Sequence, residues 1–423
     1  MDTTTQTGPL VAGSQKQTRL RRIMGIAGPG FIVAAAGVGA GDLIASLNSG
    51  AQYGLSLAWA VVVGCFIKFI VTECIGRWSL ATGISPLRGF HRLNKGFTAY
   101  FGIYSVILGF FYGAAIAGAL GLAINAMFPA VDVKLGAIAA VLVGLGILWI
   151  GKYSSFEKIM SVFVAVMFFS IVGAAVLTAP NLSLLATGFT PTVPENGTFY
   201  VLGVMGGVGM SIGLLSYGYW LRDRGWNGPT WIRTMRLDLV IGYGMTFIFM
   251  LAMMVVGAAF LQGQGTQVGG LTDLKELAQP FAEKFGEPAK WLLLIGMFSA
   301  VYSSLIGGYN ALANVFNDIF NIYRGTSNER DENAARSLPF RAYILWMCIP
   351  PLAMLFLDKP VMLVLIYAAL GALLMPVLIA GLLWMMNTKT LEKSYRNGIV
   401  MNSALVLGLA MFLALAVNEL LSL

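Results

Sequence analysis

Asp42 closes a run of small residues, Gly37-Val38-Gly39-Ala40-Gly41-Asp42, inside a long apolar stretch. A carboxylate there could ligate a cation or cap an interrupted helix, and both roles stay open. A second run, Gly203 to Gly213, holds five glycines in eleven residues and carries Met210 and Ser211. Glycines at 39, 41, 206, 207 and 209 would let backbone groups approach a ligand with no side chain between. Ionisable residues at mid-bilayer cost at least about 2.5 kcal/mol and call for a partner or a function. Lys68 is such a residue. It has no acid three or four positions away, so its partner must come from another helix, and Asp42 is one candidate. Glu73 and Arg77 are four apart and read as a helical ion pair. Asp238 and Asp318 sit at the ends of apolar runs, Asp238 near inner-loop arginines. The paired hydroxyls of Ser303 and Ser304 could bond to their own backbone, as serines in membrane helices commonly do.

The elements that position these residues follow from composition. Of 423 residues, 57% are hydrophobic and 11% charged, and the mean hydropathy is +0.78. A soluble protein averages about 25% charged. Apolar runs of about 20 residues match the thickness of a bilayer core. Eleven occur, near 27–51, 54–81, 99–128, 135–151, 156–180, 199–221, 234–262, 289–317, 341–357, 360–386 and 398–421. No alternating ten-residue strands are present, so the spans must be helices. The composition excludes a soluble enzyme, a nucleic-acid-binding domain and a disordered chain. The net charge of +8 reports topology. With the N-terminus inside, twenty Lys and Arg fall in inner segments and five in outer ones. That bias predicts a cytoplasmic N-terminus and an external C-terminus.

Glycine-dense interruptions in the first and sixth spans are one five-span unit apart. Broken helices in matching positions of two halves point to the binding site of a secondary transporter. An odd number of spans per unit inverts the second unit in the membrane. The expected organisation is a cytoplasmic tail (1–26), a first five-helix repeat (27–180), a second (199–386) and an additional helix (398–421), with unwinding near 38–42 and 206–211. An amphipathic helix is expected on the surface within 271–285, and a charged inner segment at 324–338.

Cys65, Cys74 and Cys348 lie in apolar runs and read as small hydrophobic fillers. The lone His91 cannot build a histidine-rich metal site. Neither a nucleotide-binding motif nor an arrangement suited to catalysis is visible, so no enzyme activity and no cofactor beyond a possible bound Na⁺ are expected. The expected partners are the lipid bilayer and a small inorganic ion, with no nucleic acid and no obligate protein. The expected location is a bacterial plasma membrane.

Gly28-Pro29-Gly-Phe-Ile-Val, Asp42 and Gly50-Ala51-Gln-Tyr-Gly54 together resemble the first span of the Nramp (natural resistance-associated macrophage protein) divalent-metal transporters. The resemblance continues through Ala81-Thr82-Gly83, Gly203-Val-Met-Gly206 with Met210, Ser303-Ser304 and Met375-Pro376, over most of the chain. It implies the LeuT-type fold, an all-α membrane protein of eleven helices in a 5+5 inverted repeat. It also exposes departures. The family's Asp-Pro-Gly-Asn falls on Gly39-Ala40-Gly41-Asp42, so the metal-binding aspartate is glycine. The family's Met-Pro-His falls on Met210-Ser211-Ile212, which leaves Met210 and Asp42 as metal candidates. Span 3, which in the family supplies acids for proton movement, has no Asp or Glu within 99–128. The family's glutamine in span 10 falls near Ala368. In LeuT-like proteins, hydroxyls of span 8 and carbonyls of span 1 form a sodium site, which here implicates Ser303, Ser304 and Asp42.

These residues favour a secondary transporter of a small inorganic ion with altered selectivity. Loss of the first carboxylate, the exposed backbone N–H groups, Ser211 and Lys68 favour a compact oxyanion such as bicarbonate, assisted by Na⁺. The alternative is a divalent cation, Mg²⁺ or Mn²⁺, on Asp42. A non-transporting membrane sensor or scaffold is the alternative of another class. Robust proton-driven Mn²⁺ uptake is not expected without the span 3 acids and the span 6 histidine.

Overall fold

In lipid, backbone N–H and C=O groups must be satisfied within the segment that carries them, which selects helices for every span. The structure, a computed structural model, describes residues 40–150, 153–180, 182–195, 197–208, 212–262, 274–326, 337–357 and 360–422, and no strand occurs among them. Helices stand at all eleven expected spans among the described residues, the first described only from Ala40, where residues 40–42, expected to be unwound, are helical. The first is α1 (Ala40–Tyr53), the second α2 (Ala58–Thr82). A short helix, α3 (Pro86–Leu93), precedes α4 (Lys95–Met127), the third span. The fourth and fifth are α5 (Val133–Trp149) and α6 (Tyr153–Leu177), followed by the one-turn α7 (Leu182–Thr187). The sixth is split into α8 (Thr198–Gly207), a 3₁₀ turn (Ile212–Ser216) and α9 (Tyr217–Asp223). The seventh is α10 (Ile232–Phe260). The helix α11 (Leu274–Phe285) then leads to the eighth span, α12 (Glu287–Tyr323). The ninth is α13 (Leu338–Cys348), continued as a 3₁₀ helix to Leu357, and the last two are α14 (Pro360–Met385) and α15 (Ile399–Ser422).

Local chemistry sets the boundaries. Gly83 ends α2 in the left-handed region (φ 68°), and its N–H bonds to the Ser79 carbonyl. Ser85 caps α3, with Pro86 at its first position. Asp132 caps α5 through the N–H groups of Lys134 and Leu135. Pro350 and Pro351 lack the N–H that an α-helix needs, so the ninth span tightens into a 3₁₀ helix there.

The two halves pack equivalently. α1 lies along α10, as the sixth span lies along α2; α4 packs on α5 and α14, as α12 packs on α13 and α6. Exchanging spans 1–5 with 6–10 preserves these pairings, as a 5+5 repeat requires. The chain is an integral multi-pass membrane protein of the LeuT type.

Several sequence expectations shift. The eighth span runs on to Tyr323, past the expected end at 317, so Asp318 lies inside it. The stretch after span 2, for which the sequence suggested no helix, contains α3, where His91 Nδ1 lies 3.0 Å from the Thr98 hydroxyl. The expected surface helix is α11, but it docks: Leu277, Ala278 and Phe281 are buried, and Phe281 packs on Phe260 at 5.1 Å between centroids. Residues 327–336 of the expected charged segment lie outside the described residues, as do residues 1–39.

Candidate functional site

The site begins with the interruption of the sixth span. α8 stops at Gly207, and Val208 leaves helical geometry with ψ 108°. Helix resumes at Ile212. The last carbonyls of α8 therefore have no partner within their own helix. They form its negative end.

α1 meets α8 in antiparallel sense. Tyr53 packs edge-on against Tyr200 with centroids 5.3 Å apart. Further down, a Cβ built on Gly203 would stand 3.8 Å from the Ala45 Cβ. The same sense brings the first turn of α1, with Asp42, level with Gly206 and Gly207 at the end of α8. Asp42 is only 1% exposed. Among the described residues, a Cβ added at Gly41 or Gly206 would meet nothing within 4 Å.

α2 closes the far side. A Cβ on Gly64 would lie 2.9 Å from Val208 Cγ2 and 3.0 Å from Met205 Cα. Lys68, one turn along the same face, lies just past the end of α8. Its side chain is fully buried, and its Nζ has no hydrogen-bond partner among the described residues. It interacts electrostatically with the Asp42 carboxylate and the Cys65 thiol. The next turn of α2 is fixed from behind. Thr72 donates to the Lys68 carbonyl at 2.8 Å, and its hydroxyl lies 2.7 Å from that of Tyr243 on α10.

Three tyrosines complete the surroundings. Tyr112 on α4, Tyr243 on α10 and Tyr367 on α14 all lie within electrostatic range of Asp42. Tyr112 stacks against Tyr367 at 5.0 Å and donates to the Ser304 carbonyl at 2.6 Å. The sequence reading missed these tyrosines and the position of Cys65. Their one signal was a polar atom in mid-span, which many tyrosines in apolar runs share.

The structure thus gathers Gly41, Asp42, Gly206, Gly207 and Lys68. Gly39, Met210 and Ser211 lie outside the described residues. Ser303 donates to the Ala300 carbonyl at 2.9 Å, the backbone bond expected of a serine in a membrane helix, and both Ser303 and Ser304 are buried. Glu73 belongs elsewhere. It accepts from Arg77 at 3.0 Å and from Arg236 at 2.7 Å, and Arg77 continues to the Tyr395 carbonyl and Asn397 Oδ1, both at 2.6 Å. This cluster ties α2 to α10 and to the segment before α15. Asp238, which the sequence sets near inner-loop arginines, is fully buried, and the Tyr217 hydroxyl lies 3.5 Å from its carboxylate.

Among the described residues no three His, Cys, Asp or Glu side chains come together as a metal-ligand group. A cation held here would rest on Asp42, the carbonyls ending α8 and its own water. Such a donor set is all oxygen, suited to Mg²⁺ or Mn²⁺.

A family model described as natural resistance-associated macrophage protein-like matches residues 30–422. Proteins named divalent metal cation transporter MntH, from several strains of Staphylococcus aureus, are 24% identical over 275 residues. The matched region spans 61% of this chain and 60% of those relatives. A manganese transporter of Eremococcus coleocola, solved as a mutant, superposes with TM-score 0.76 at 15% identity, covering 96% of this chain and 88% of that one. MhsT in complex with L-phenylalanine superposes with TM-score 0.51 at 15% identity, covering 94% and 99%. At those identities the superpositions speak for the fold.

Proposed function

As the chain belongs to the Nramp family, we propose that it is a secondary transporter of a divalent metal cation, Mn²⁺ or Mg²⁺, bound between the first turn of α1 and the last turn of α8. One observation carries this reading. The buried Asp42 carboxylate and the carbonyl end of α8 stand at the same level, beside space that no described residue fills. Both are negative, and both would ligate a cation.

The sequence favours a small oxyanion assisted by Na⁺, on exposed backbone N–H groups, Ser211 and Lys68. The half-helix ending here is α8, and its end is a C-terminus, which repels an anion. The first described turn of α1 carries Asp42, a carboxylate that also disfavours an anion. The curated relatives reported above are named divalent metal cation transporters, and the solved structure from Eremococcus coleocola is a manganese transporter. Neither bicarbonate nor sodium is part of the proposal. The membrane is proposed to be the bacterial plasma membrane, with the N-terminus inside on the Lys and Arg distribution.

The test is uptake of Mn²⁺ and Mg²⁺ into proteoliposomes at equal protein amount. Wild-type protein takes up at least one of them, and Asp42→Ala lowers the rate by more than about tenfold, the loss expected from about 1.4 kcal/mol of coordination energy. Wild-type vesicles as tight to both ions as empty liposomes, or Asp42→Ala at the wild-type rate, would reject the reading.

A further inference from the structure

The outward face of α10 begins with two arginines and continues as an apolar strip. Arg233 and Arg236 are exposed and three residues apart, so they are neighbours on one side of the helix. Leu237, Val240 and Ile248 extend the same side and are 46%, 56% and 43% exposed. On a membrane-spanning helix that exposure is to lipid. Between Val240 and Ile248 stands Gly244, where an added Cβ would meet nothing within 4 Å among the described residues. The missing side chain leaves a shallow notch in the lipid-facing surface. At about 1.5 Å of rise per residue, the notch lies about 16 Å along the helix from Arg233, close to the depth of one leaflet's hydrocarbon.

Two features separate this place from an ordinary interfacial arginine. Arg236 is held in position, its Nε donating to Glu73 Oε1 at 2.8 Å and its Nη2 lying 2.7 Å from the same oxygen. Glu73 also holds Arg77, so the three side chains keep a net positive charge, to which Arg233 adds a second. The depth is fixed as well. Trp231, which immediately precedes α10, is 36% exposed and stacks on the buried Trp226 at 5.3 Å and 10°, and tryptophans mark the headgroup level of a bilayer. We propose that this face of α10 binds one anionic phospholipid, with its phosphate on Arg233 and Arg236 and an acyl chain running along Leu237 and Val240 into the notch at Gly244. Arginine forks match phosphate oxygens, and basic clusters at helix ends attract anionic headgroups. A zwitterionic lipid brings its own cation to the arginines and gains less. A second copy of this chain docked symmetrically on the same face would set like charges against each other.

The inference stands apart from the cation reading, since its test measures binding and no flux. The purified full chain is delipidated in detergent and titrated with dioleoyl phosphatidylglycerol or dioleoyl phosphatidylcholine. Native mass spectrometry reads the fraction carrying one lipid. Phosphatidylglycerol is expected to bind at least about tenfold more tightly than phosphatidylcholine, as two basic groups near the surface would give. Arg233→Gln is expected to weaken phosphatidylglycerol about fivefold, and Arg233→Lys to keep most of the affinity. Gly244→Leu leaves every charge in place and fills the notch, and is expected to weaken it at least about threefold. Arg92→Gln removes an exposed arginine of α3 and is expected to stay within about twofold of wild type. Saturating phosphatidylglycerol should also raise the melting temperature of the wild type, through binding to the folded state, and raise that of Arg233→Gln less at the same concentration.

Equal affinity for the two lipids would overturn the inference. So would equal weakening by Arg92→Gln and Arg233→Gln, which would mean that diffuse positive charge, and not this face, attracts the lipid. Wild-type affinity in Gly244→Leu would show that no acyl chain occupies the notch. Competition by glycerol 3-phosphate at the lipid's own concentration would show that the headgroup alone is held. A dimer whose formation excludes the lipid and is lost in Gly244→Leu would assign the face to a second copy of this chain and reject the lipid.

Discussion

At the scale of single residues, Asp42 and Gly206 have opposite kinds of importance. Asp42 supplies charge, and Gly206 supplies absence. Among the described residues nothing lies within 4 Å of a Cβ at Gly206, so a larger residue there meets no described backbone. Its side chain would instead occupy the room beside the carboxylate. Gly206→Val should therefore fold with a melting temperature within about 4 °C of wild type, the shift that about 1 kcal/mol produces at most in a chain this long. Its divalent uptake should fall by about tenfold. Uptake at the wild-type rate, measured beside thermal unfolding in detergent, would show that the open space is not on the ion's path.

At the scale of helices, the crossing of α1 on α10 is closer than side chains permit. A Cβ on Gly50 would come within 2.1 Å of the Met254 carbonyl oxygen, and one on Gly257 within 2.2 Å of the Leu47 carbonyl oxygen. Small residues at such crossings let membrane helices approach backbone to backbone. The neighbouring atoms are main chain and cannot rotate away. Gly257→Ala should destabilise the protein by about 1–3 kcal/mol, the usual range for overpacking. Gly244→Ala on the same helix, where nothing lies within 4 Å, is the matched control and should melt with the wild type. Equal melting of the two variants in detergent would contradict the close crossing. Because α1 carries Asp42, the same variant should also weaken ion binding.

At the scale of the whole molecule, ion pairs gather at the arginine-rich ends of the helices. Asp318 of α12 accepts from Arg88 at 3.1 Å, from Tyr219 at 2.9 Å and from Ser85. Glu157 of α6 accepts from Arg224, just past α9, at 2.7 Å. Glu73 holds Arg77 and Arg236. Of these, Glu73 with Arg77 is the most buried, at 2% and 5% side-chain exposure, so breaking it leaves a charge out of water. Glu73→Gln should destabilise the chain by about 3–5 kcal/mol. The double variant Glu73→Gln with Arg77→Met should lose less than the sum of the two single losses, since no charge is then stranded. Thermal unfolding of the four proteins gives the coupling directly; strict additivity would mean the pair is not a unit. Arg236 is 53% exposed, and its removal should matter little because solvent screens it.

The sequence by itself determined the eleven spans, because an apolar run of bilayer length is a local property of the chain. It also determined that the sixth span breaks, since glycines so dense cannot sustain a helix that must bury its own backbone. The pairing of Glu73 with Arg77 was readable for the same reason: four residues on one helix fix their distance. α3 escaped notice because eight residues between charged neighbours carry too little periodicity to stand out. The tertiary structure alone shows which end of the broken helix stands beside α1. Glycine content says that a helix is broken, but whether a carbonyl end or an N–H end faces the ligand depends on which half packs against α1. That packing brings Asp42, Lys68 and Gly206, distant in sequence, around one space. It also enlists Tyr112, Tyr243 and Tyr367 from three further helices. Each of these relations joins helices whose order in the chain leaves their contacts unspecified, so only the packed bundle could supply them.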